Sequence, residues 1–377
     1  MKDRNAMPTP FSGDDLPSQS GGKDFGIFLP MGNGGWIISK NTPKLDASYA
    51  YNRRVAVLAE AMEFDFIMSM GKWRGFGGET GHWNRVLESQ VLMAALAEAT
   101  SRIKIWSTAC TLLFNPAAVA KMIATIDDIS GGRAGLNVVT GAFRQEFAQM
   151  GAWRDDLGHD ARYDFAEEWV SAVKRLWSEE AVTLDGRYVR LDDCRSEPKP
   201  QKRPFLVCAG MSPRGVDFTL DHMDGIFLTG RDNRHLGEVS RAAKAQAAAR
   251  GRTIKTYTQM TLVIGETDEA AEAEARHYRD GLDEGALMGM ARAFGVLDSE
   301  IGEENALVAS ARSSFMTPRI IGSAETVERE LARLIDDASL DGMLLIFPDY
   351  LRDVEIFGRR ILPGLRARYG GEGLRAA

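Results

Sequence analysis

The sequence predicts an α/β fold, a (β/α)8 TIM barrel with long loops after strands one and two and an insertion before strand eight. Three observations carry that expectation. Short apolar runs alternate with helical patterns almost from end to end, eight such runs can be counted, and 377 residues is a length that α/β barrels reach as one unit. An open, doubly wound sheet is the alternative with the same alternation.

The first run, residues 25–29, is continuous and apolar, as expected of a strand buried on both faces. A Gly- and Asn-rich connection at 31–44 separates it from a helical pattern at 47–62. Strand two, 64–70, leads into a second long connection, 71–85, which holds Gly75-Phe-Gly-Gly78, and then a helix at 87–100. Strand three is expected at 103–108. Its helix, 115–129, stops at Ser130-Gly131-Gly132, because glycine closes a helix C-terminus in the left-handed conformation. Arg133 is the last charge before strand four, 134–139, where Asn137 interrupts the apolar run and Thr140-Gly141 follow. In a parallel α/β protein the carboxyl end of a strand is where ligands bind. A helix at 161–177 precedes residues 182–191, whose alternation around Asp185-Gly186 reads as a β-hairpin. Strand five, 205–209, runs through Gly210 to Ser212 and Pro213, an N-cap and first-turn pair opening a helix at 213–222. Strand six (225–228), a helix (235–250), strand seven (256–264) and a helix (268–284) continue the repeat. Residues 287–319 interrupt it, and a helix at 324–336, strand eight at 342–347 and a helix at 351–362 complete it. Long connections in compact domains are commonly functional, and these three are placed to roof one site.

Composition narrows the function. Hydrophobic residues at 44% and charged residues at 26% are those of an ordinary globule, and a net charge of -7 argues against a nucleic-acid groove. No apolar stretch approaches the length of a membrane span. Residues 1–23, rich in Pro and Ser, lack the apolar core of a secretion signal and read as a flexible arm before a single domain, 24–377, with a cytoplasmic location expected. Cys110, Cys194 and Cys208 are widely spaced and suggest neither a disulfide framework nor a zinc site. The five histidines never fall at metal-ligand spacing.

Residues 205–215 have the geometry of a phosphate cup: a buried strand, a glycine turn, and backbone N–H groups beside the Ser212 hydroxyl. A merely well-capped helix is the other reading. No P-loop lysine and no dinucleotide fingerprint accompany it. Lys72 and Arg74 follow strand two at the ligand face. Alone they read as a solvated pair, but Trp73, Phe76 and Trp83 beside the glycines suggest a covered pocket for a flat ligand. Glu146 either faces that pocket or is the first-turn acid of a helix. Arg162 either pairs an anion or caps a carbonyl.

Seven motifs, in order and at family spacing, resemble the bacterial-luciferase-like flavin monooxygenases, and within them the pyrimidine monooxygenase branch that opens the uracil ring. They are Gly26-Ile-Phe-Leu-Pro-Met-Gly-Asn-Gly-Gly-Trp-Ile-Ile-Ser39, Arg74-Gly-Phe-Gly-Gly78, Thr125-Ile-Asp-Asp-Ile-Ser-Gly-Gly-Arg133, Asn137-Val-Val-Thr-Gly141, Gln149-Met-Gly-Ala-Trp153, Arg162-Tyr-Asp164 and Cys208-Ala-Gly-Met-Ser212. The resemblance implies FMN at the carboxyl mouth of the barrel, reduced by a separate NAD(P)H-dependent flavin reductase, with O2 as co-substrate. Gly71 and Lys72 would then lie beside the isoalloxazine, Asn137 and Glu146 would contact the flavin or its oxygen adduct, and Arg162, Tyr163 and Ser212 would bind the ribityl phosphate. Thr108 matches a threonine that shares the oxygen pocket with Asn137, which makes these two the expected catalytic residues. Asn33, Trp36, Trp73, Ala142 and Phe143 are expected at the substrate pocket, and a homodimer or homotetramer is implied.

The chain also departs from that pattern. Ala142 stands where the uracil-opening enzymes carry a tryptophan, Leu113-Phe114-Asn115 replaces a proline-rich turn, and Trp73 replaces a smaller apolar residue. A methyl group in place of an indole opens the pocket. The substrate is therefore expected to be a planar nitrogen heterocycle whose C–N bond is cleaved, either a uracil-type ring or riboflavin, which would yield lumichrome. A deazaflavin-dependent dehydrogenase and a non-catalytic flavin-binding protein are the competing readings.

Overall fold

A computed structural model describes residues 22–294 and 311–370. The expected arm at 1–23 lies almost wholly outside the described residues, as does the middle of the interruption at 287–319. The strands, in chain order, are β1 (Asp24–Phe28), β2 (Phe66–Met68), β3 (Lys104–Cys110), β4 (Ala134–Val139), β5 (Val182–Asp185), β6 (Arg190–Cys194), β7 (Phe205–Cys208), β8 (Gly225–Leu228), β9 (Lys255–Gly265), β10 (Arg319–Ser323) and β11 (Gly342–Ile346). β1, β2, β3, β4, β7, β8, β9 and β11 pair in parallel, and β11 returns to β1 with Gly342 opposite Asp24. That pairing closes the barrel and excludes the open sheet. β5 and β6 form the expected antiparallel hairpin outside it.

Three departures from the sequence expectation have local causes. β9 overshoots the barrel: its start pairs with β8, its middle with β11, and Thr261–Gly265 with β10, a short added strand on the rim. The pattern at 268–284 is two elements, Asp268–Asp280 and Glu284–Ala293, split where the Asp283 side chain caps the second by accepting from Ala286 N at 3.1 Å. The last pattern, 351–362, is helical over Tyr350–Ile356, passes through a wide turn at Phe357–Ile361, and restarts at Leu362–Tyr369 with a proline in its first turn.

The amino-terminal half of the barrel is filled by a column of aromatic rings. Phe66 stacks on Trp106 at 3.9 Å, Trp106 on Phe205 at 5.1 Å, and Tyr257 meets Trp106 edge-on at 5.8 Å. Glycines make room for them. A Cβ at Gly26 would stand 2.3 Å from the Phe66 ring, one at Gly135 2.4 Å from Trp106, and one at Gly342 2.6 Å from Tyr257. Beneath the rings Asp24 accepts from Lys255 Nζ (2.8 Å) and from the Tyr257 hydroxyl (2.7 Å). Burial works to raise the Asp24 pKa, but Lys104 and Lys255 outweigh it and hold the carboxyl below its usual range.

The stretch from Ser130 to Arg133 is structural. Gly131 and Gly132 take φ of 67° and 87°, so the chain reverses, and the Arg133 guanidinium then reaches the carbonyls of Ile103 (2.6 Å), Ala97 (2.8 Å) and Ser130 (2.7 Å). These bonds lock the entry of β4 to the end of the preceding βα unit. Among the described residues no helix is long and apolar enough to cross a membrane.

Candidate active site

Parallel pairing of β3 and β4 sets Thr108 directly opposite Asn137 near the carboxyl ends. The Thr108 hydroxyl donates to Ser69 O at 2.6 Å and accepts from Asn137 Nδ2 at 3.1 Å. Its backbone is fixed as well: Thr108 N donates to Ser89 Oγ (2.8 Å) and Gln90 Nε2 donates to Thr108 O (2.7 Å). The Thr108 proton is therefore committed. Asn137 Oδ1, buried and without a partner, is the free acceptor of the pair. An unmet buried oxygen costs about 1–3 kcal/mol, so its retention points to a ligand donor.

Gly71 and Lys72 leave β2 beside this pair. Lys72 is buried and its Nζ lies 2.7 Å from Glu146 Oε2, while Glu146 Oε1 accepts from Trp73 N at 2.5 Å. Glu146 stands in the first turn of a five-residue helix, Arg144–Ala148, and meets the recess through Lys72 and Trp73, which line it. Phe143 and Phe76 place their rings 4.0 and 4.7 Å from the ammonium. Burial lowers the Lys72 pKa and Glu146 works against that.

At the β7 carboxyl end the expected helix cap forms. Ser212 Oγ accepts from Gly215 N at 3.1 Å, capping the helix Pro213–His222. The Tyr163 hydroxyl meets the side chains of Ser212 and Thr140, and burial raises its pKa. Any Cβ at Gly210 or Gly215 would come within 2.8 or 2.6 Å of that hydroxyl, so the close approach requires glycine at both positions. Arg162 lies over the Trp153 ring at 5.0 Å and donates weakly to Leu157 O at 3.2 Å, while its buried Nε has no partner. Arg214 turns away to Asp164 and Glu167.

Two expected pocket residues are built into the roof. Asn33 donates to Gly81 O (2.7 Å) and Thr80 O (3.2 Å) and accepts from Arg85 N (2.8 Å), which ties the first long loop to the second. Trp36 packs on Phe28 at 3.9 Å and against the edge of Trp83 at 5.0 Å. Asp283 accepts from Thr80 N and Thr80 Oγ1, each at 2.7 Å, and so fastens the helix Glu284–Ala293 onto the same loops. At their junction lies His82, fully buried, with neither ring nitrogen partnered and its pKa pushed down to about 4 by burial. Of the other three expected pocket residues, Trp73 is exposed and lines the recess, Phe143 is half-buried with its ring over the Lys72 ammonium, and Ala142 is exposed and is not among the lining residues. The recess is lined by Gly71, Lys72, Trp73, Thr108, Phe114 and Phe147. Sequence reasoning placed neither Phe114 nor Phe147 there. Phe114 was marked only as a departure, and the helix carrying Phe147 is too short to show a period.

Comparisons with known proteins bear on the family and the fold. The family model described as luciferase-like monooxygenase matches residues 24–341. The pyrimidine monooxygenase RutA of Variovorax paradoxus is 38% identical over 350 residues, covering 91% of this chain and 94% of that one. The protein of the same name from Rhizobium rhizogenes is 36% identical over 352 residues, covering 92% and 97%. Among solved structures, a riboflavin lyase described with modified FMN and its substrate riboflavin superposes with a TM-score of 0.83 at 24% identity, covering 94% of each chain. A long-chain alkane monooxygenase superposes with a TM-score of 0.80 at 20% identity, covering 92% of each.

Proposed function

The chain belongs to the luciferase-like monooxygenase family, and from that premise we propose that it is the oxygenating component of a two-component FMN-dependent monooxygenase cleaving a C–N bond of a planar nitrogen heterocycle. A separate NAD(P)H-dependent flavin reductase would supply the reduced FMN. The residues present fit FMN. Arg162 Nε and Asn137 Oδ1 are buried polar atoms in want of partners, and the Gly210–Gly215 turn leaves a helix N-terminus open to a phosphate. Gly71 and Lys72 would hold the ring system and Arg162, Tyr163 and Ser212 the phosphate.

Bound reduced FMN would supply the reaction with dioxygen. The remaining work belongs to this chain. Thr108, fixed by three hydrogen bonds, holds the Asn137 amide in one orientation, with its oxygen free to accept from a donor on a bound ring without reorganising. Glu146 holds the Lys72 ammonium inside an aromatic cage, so that the lysine donates from one fixed position at the recess. Asn33 and Asp283 bind the long loops to one another and keep water out.

The orphaned amide oxygen of Asn137 beside the buried Lys72–Glu146 pair carries this reading. A uracil-type ring is favoured by the relatives at 36–38% identity named as pyrimidine monooxygenases. Riboflavin, with lumichrome as product, is favoured by the exposed methyl of Ala142 where that branch places an indole. The test supplies the protein with FMN, a flavin reductase, NADH and oxygen, and follows uracil and riboflavin in parallel by chromatography with mass detection. Oxygen-dependent loss of either supports the reading and selects the substrate. Turnover without oxygen would instead indicate a deazaflavin-type dehydrogenase, and tight flavin binding without turnover of any substrate a flavin-binding protein.

A further inference from the structure

We propose that Trp73 and Phe114 form an aromatic mouth selecting neutral, planar heteroaromatic substrates of two or more fused rings over single rings. The inference rests on the monooxygenase reading and deepens it by naming a substrate class. The two rings have their centroids 6.3 Å apart, with planes inclined at 55°, and line the same recess above Gly71 and Thr108. Their backbones are pinned. Trp73 N donates to Glu146 Oε1 at 2.5 Å and Trp73 O accepts from Gln149 Nε2 at 2.9 Å, while Phe114 O accepts from Trp169 Nε1 at 2.7 Å.

With both backbones fixed, Trp73 is still 38% exposed. A large ring left in solvent forgoes burial that a ligand can supply. At the mouth of a recess it is a stacking platform, whose contribution grows with the area of the ligand ring laid on it. The charged side chains that line the recess are already paired: Lys72 with Glu146, and Glu88 with the helix N-terminus, where it accepts from Val91 N at 2.7 Å. A neutral ring enters without disturbing either pairing.

Uracil and its benzo-fused analogue quinazoline-2,4-dione share the same heterocycle and differ in one added ring. Equilibrium binding of each to FMN-reconstituted, unreduced protein isolates the contribution of that ring. The fused compound should bind roughly tenfold tighter than uracil, as one stacked ring is worth about 1–3 kcal/mol. Trp73→Ala and Phe114→Ala should each shrink the ratio toward one, and Trp73→Phe should retain most of it. Equal affinities in the unsubstituted protein, or a ratio unmoved by both alanine variants, would overturn the proposal. Because the ratio is read without turnover, an intact ratio in a protein that turns over neither these compounds nor riboflavin with reduced FMN and oxygen would overturn the proposed reaction and leave the mouth standing.

Discussion

The two ends of this barrel use similar residues to opposite effect. At the amino end, aromatic rings pack on glycines without space between them, and buried carboxylates are met: Asp24 by a lysine and a tyrosine, Asp224 by Arg203 and the Leu206 N–H. At the carboxyl end, a buried amide oxygen and an arginine Nε lack partners, a histidine is buried with neither nitrogen satisfied, and a tryptophan stands partly in water. The amino end is mostly complementary to itself, with Asp127 Oδ1 and Arg366 Nε among its unpartnered atoms, whereas at the carboxyl end the unpartnered groups gather around the candidate site. Stability and function are thus separated along the barrel axis, and each unmet group at the top is a cost the bottom offsets.

The comparison breaks if substitutions at the two ends have similar consequences. Trp106→Ala removes the ring at the centre of the lower column, held between Phe66 and Phe205. It should cost about 3–5 kcal/mol of unfolding free energy in urea, with turnover per folded molecule unchanged. A loss below about 1 kcal/mol would mean the column is not what holds the barrel closed. Asn137→Ala should do the reverse. Its turnover number should fall roughly 10²–10³-fold, the usual consequence of deleting one preorganised dipole, while the melting temperature stays nearly unchanged. Rapid turnover in that variant would assign the chemistry to another group.

How far the sequence could foresee this differs between the two ends. Strands four and six were legible to the residue, because 134–139 and 225–228 are short apolar runs with charge or glycine at their borders. β10 was not, since its five residues, one exposed, three half-buried and one buried, show no alternation. The cap was legible as Ser212-Pro213 after a strand, because capping is local chemistry. The Lys72–Glu146 pair spans 74 positions and the Thr108–Asn137 bond depends on strand register, so no local pattern encodes either. Composition shows Asn33 beside glycines, but whether its amide faces a substrate or the Thr80 and Gly81 carbonyls is decided by how two loops meet.

His82 tests the upper end through pH. Its folded pKa is near 4 against an ordinary 6.5, and Asp283, the charged group acting on it, works to raise the value but is outweighed by burial. Between those values the unfolded chain binds a proton that the folded protein refuses. The contribution is intact above pH 6.5 and is lost as pH falls toward 4, by about 3 kcal/mol at most. His82→Phe, which keeps a flat ring between Phe76 and Trp83, should flatten the decline in stability over that window relative to the unsubstituted protein. Identical pH profiles would show that the ring does not stay neutral in the fold.

The smallest effect is the most specific. Ser212→Ala removes one cap hydrogen bond, worth about 1 kcal/mol of stability, a loss that any capped helix in this chain would show. Thr267, whose side chain accepts from Ala270 N at 3.2 Å, caps the helix Asp268–Asp280 in the same way but is not one of the residues assigned to the flavin. Thr267→Ala should therefore match the stability loss and leave FMN affinity alone, whereas Ser212→Ala should also weaken FMN binding several-fold, as expected for one lost hydrogen bond to a charged group. The pair separates a cap from a cup. If both variants bind FMN as the unsubstituted protein does, the hydroxyl at the β7 end closes a helix and nothing more, and the phosphate must be held by Arg162 and the backbone of Gly210–Gly215 alone.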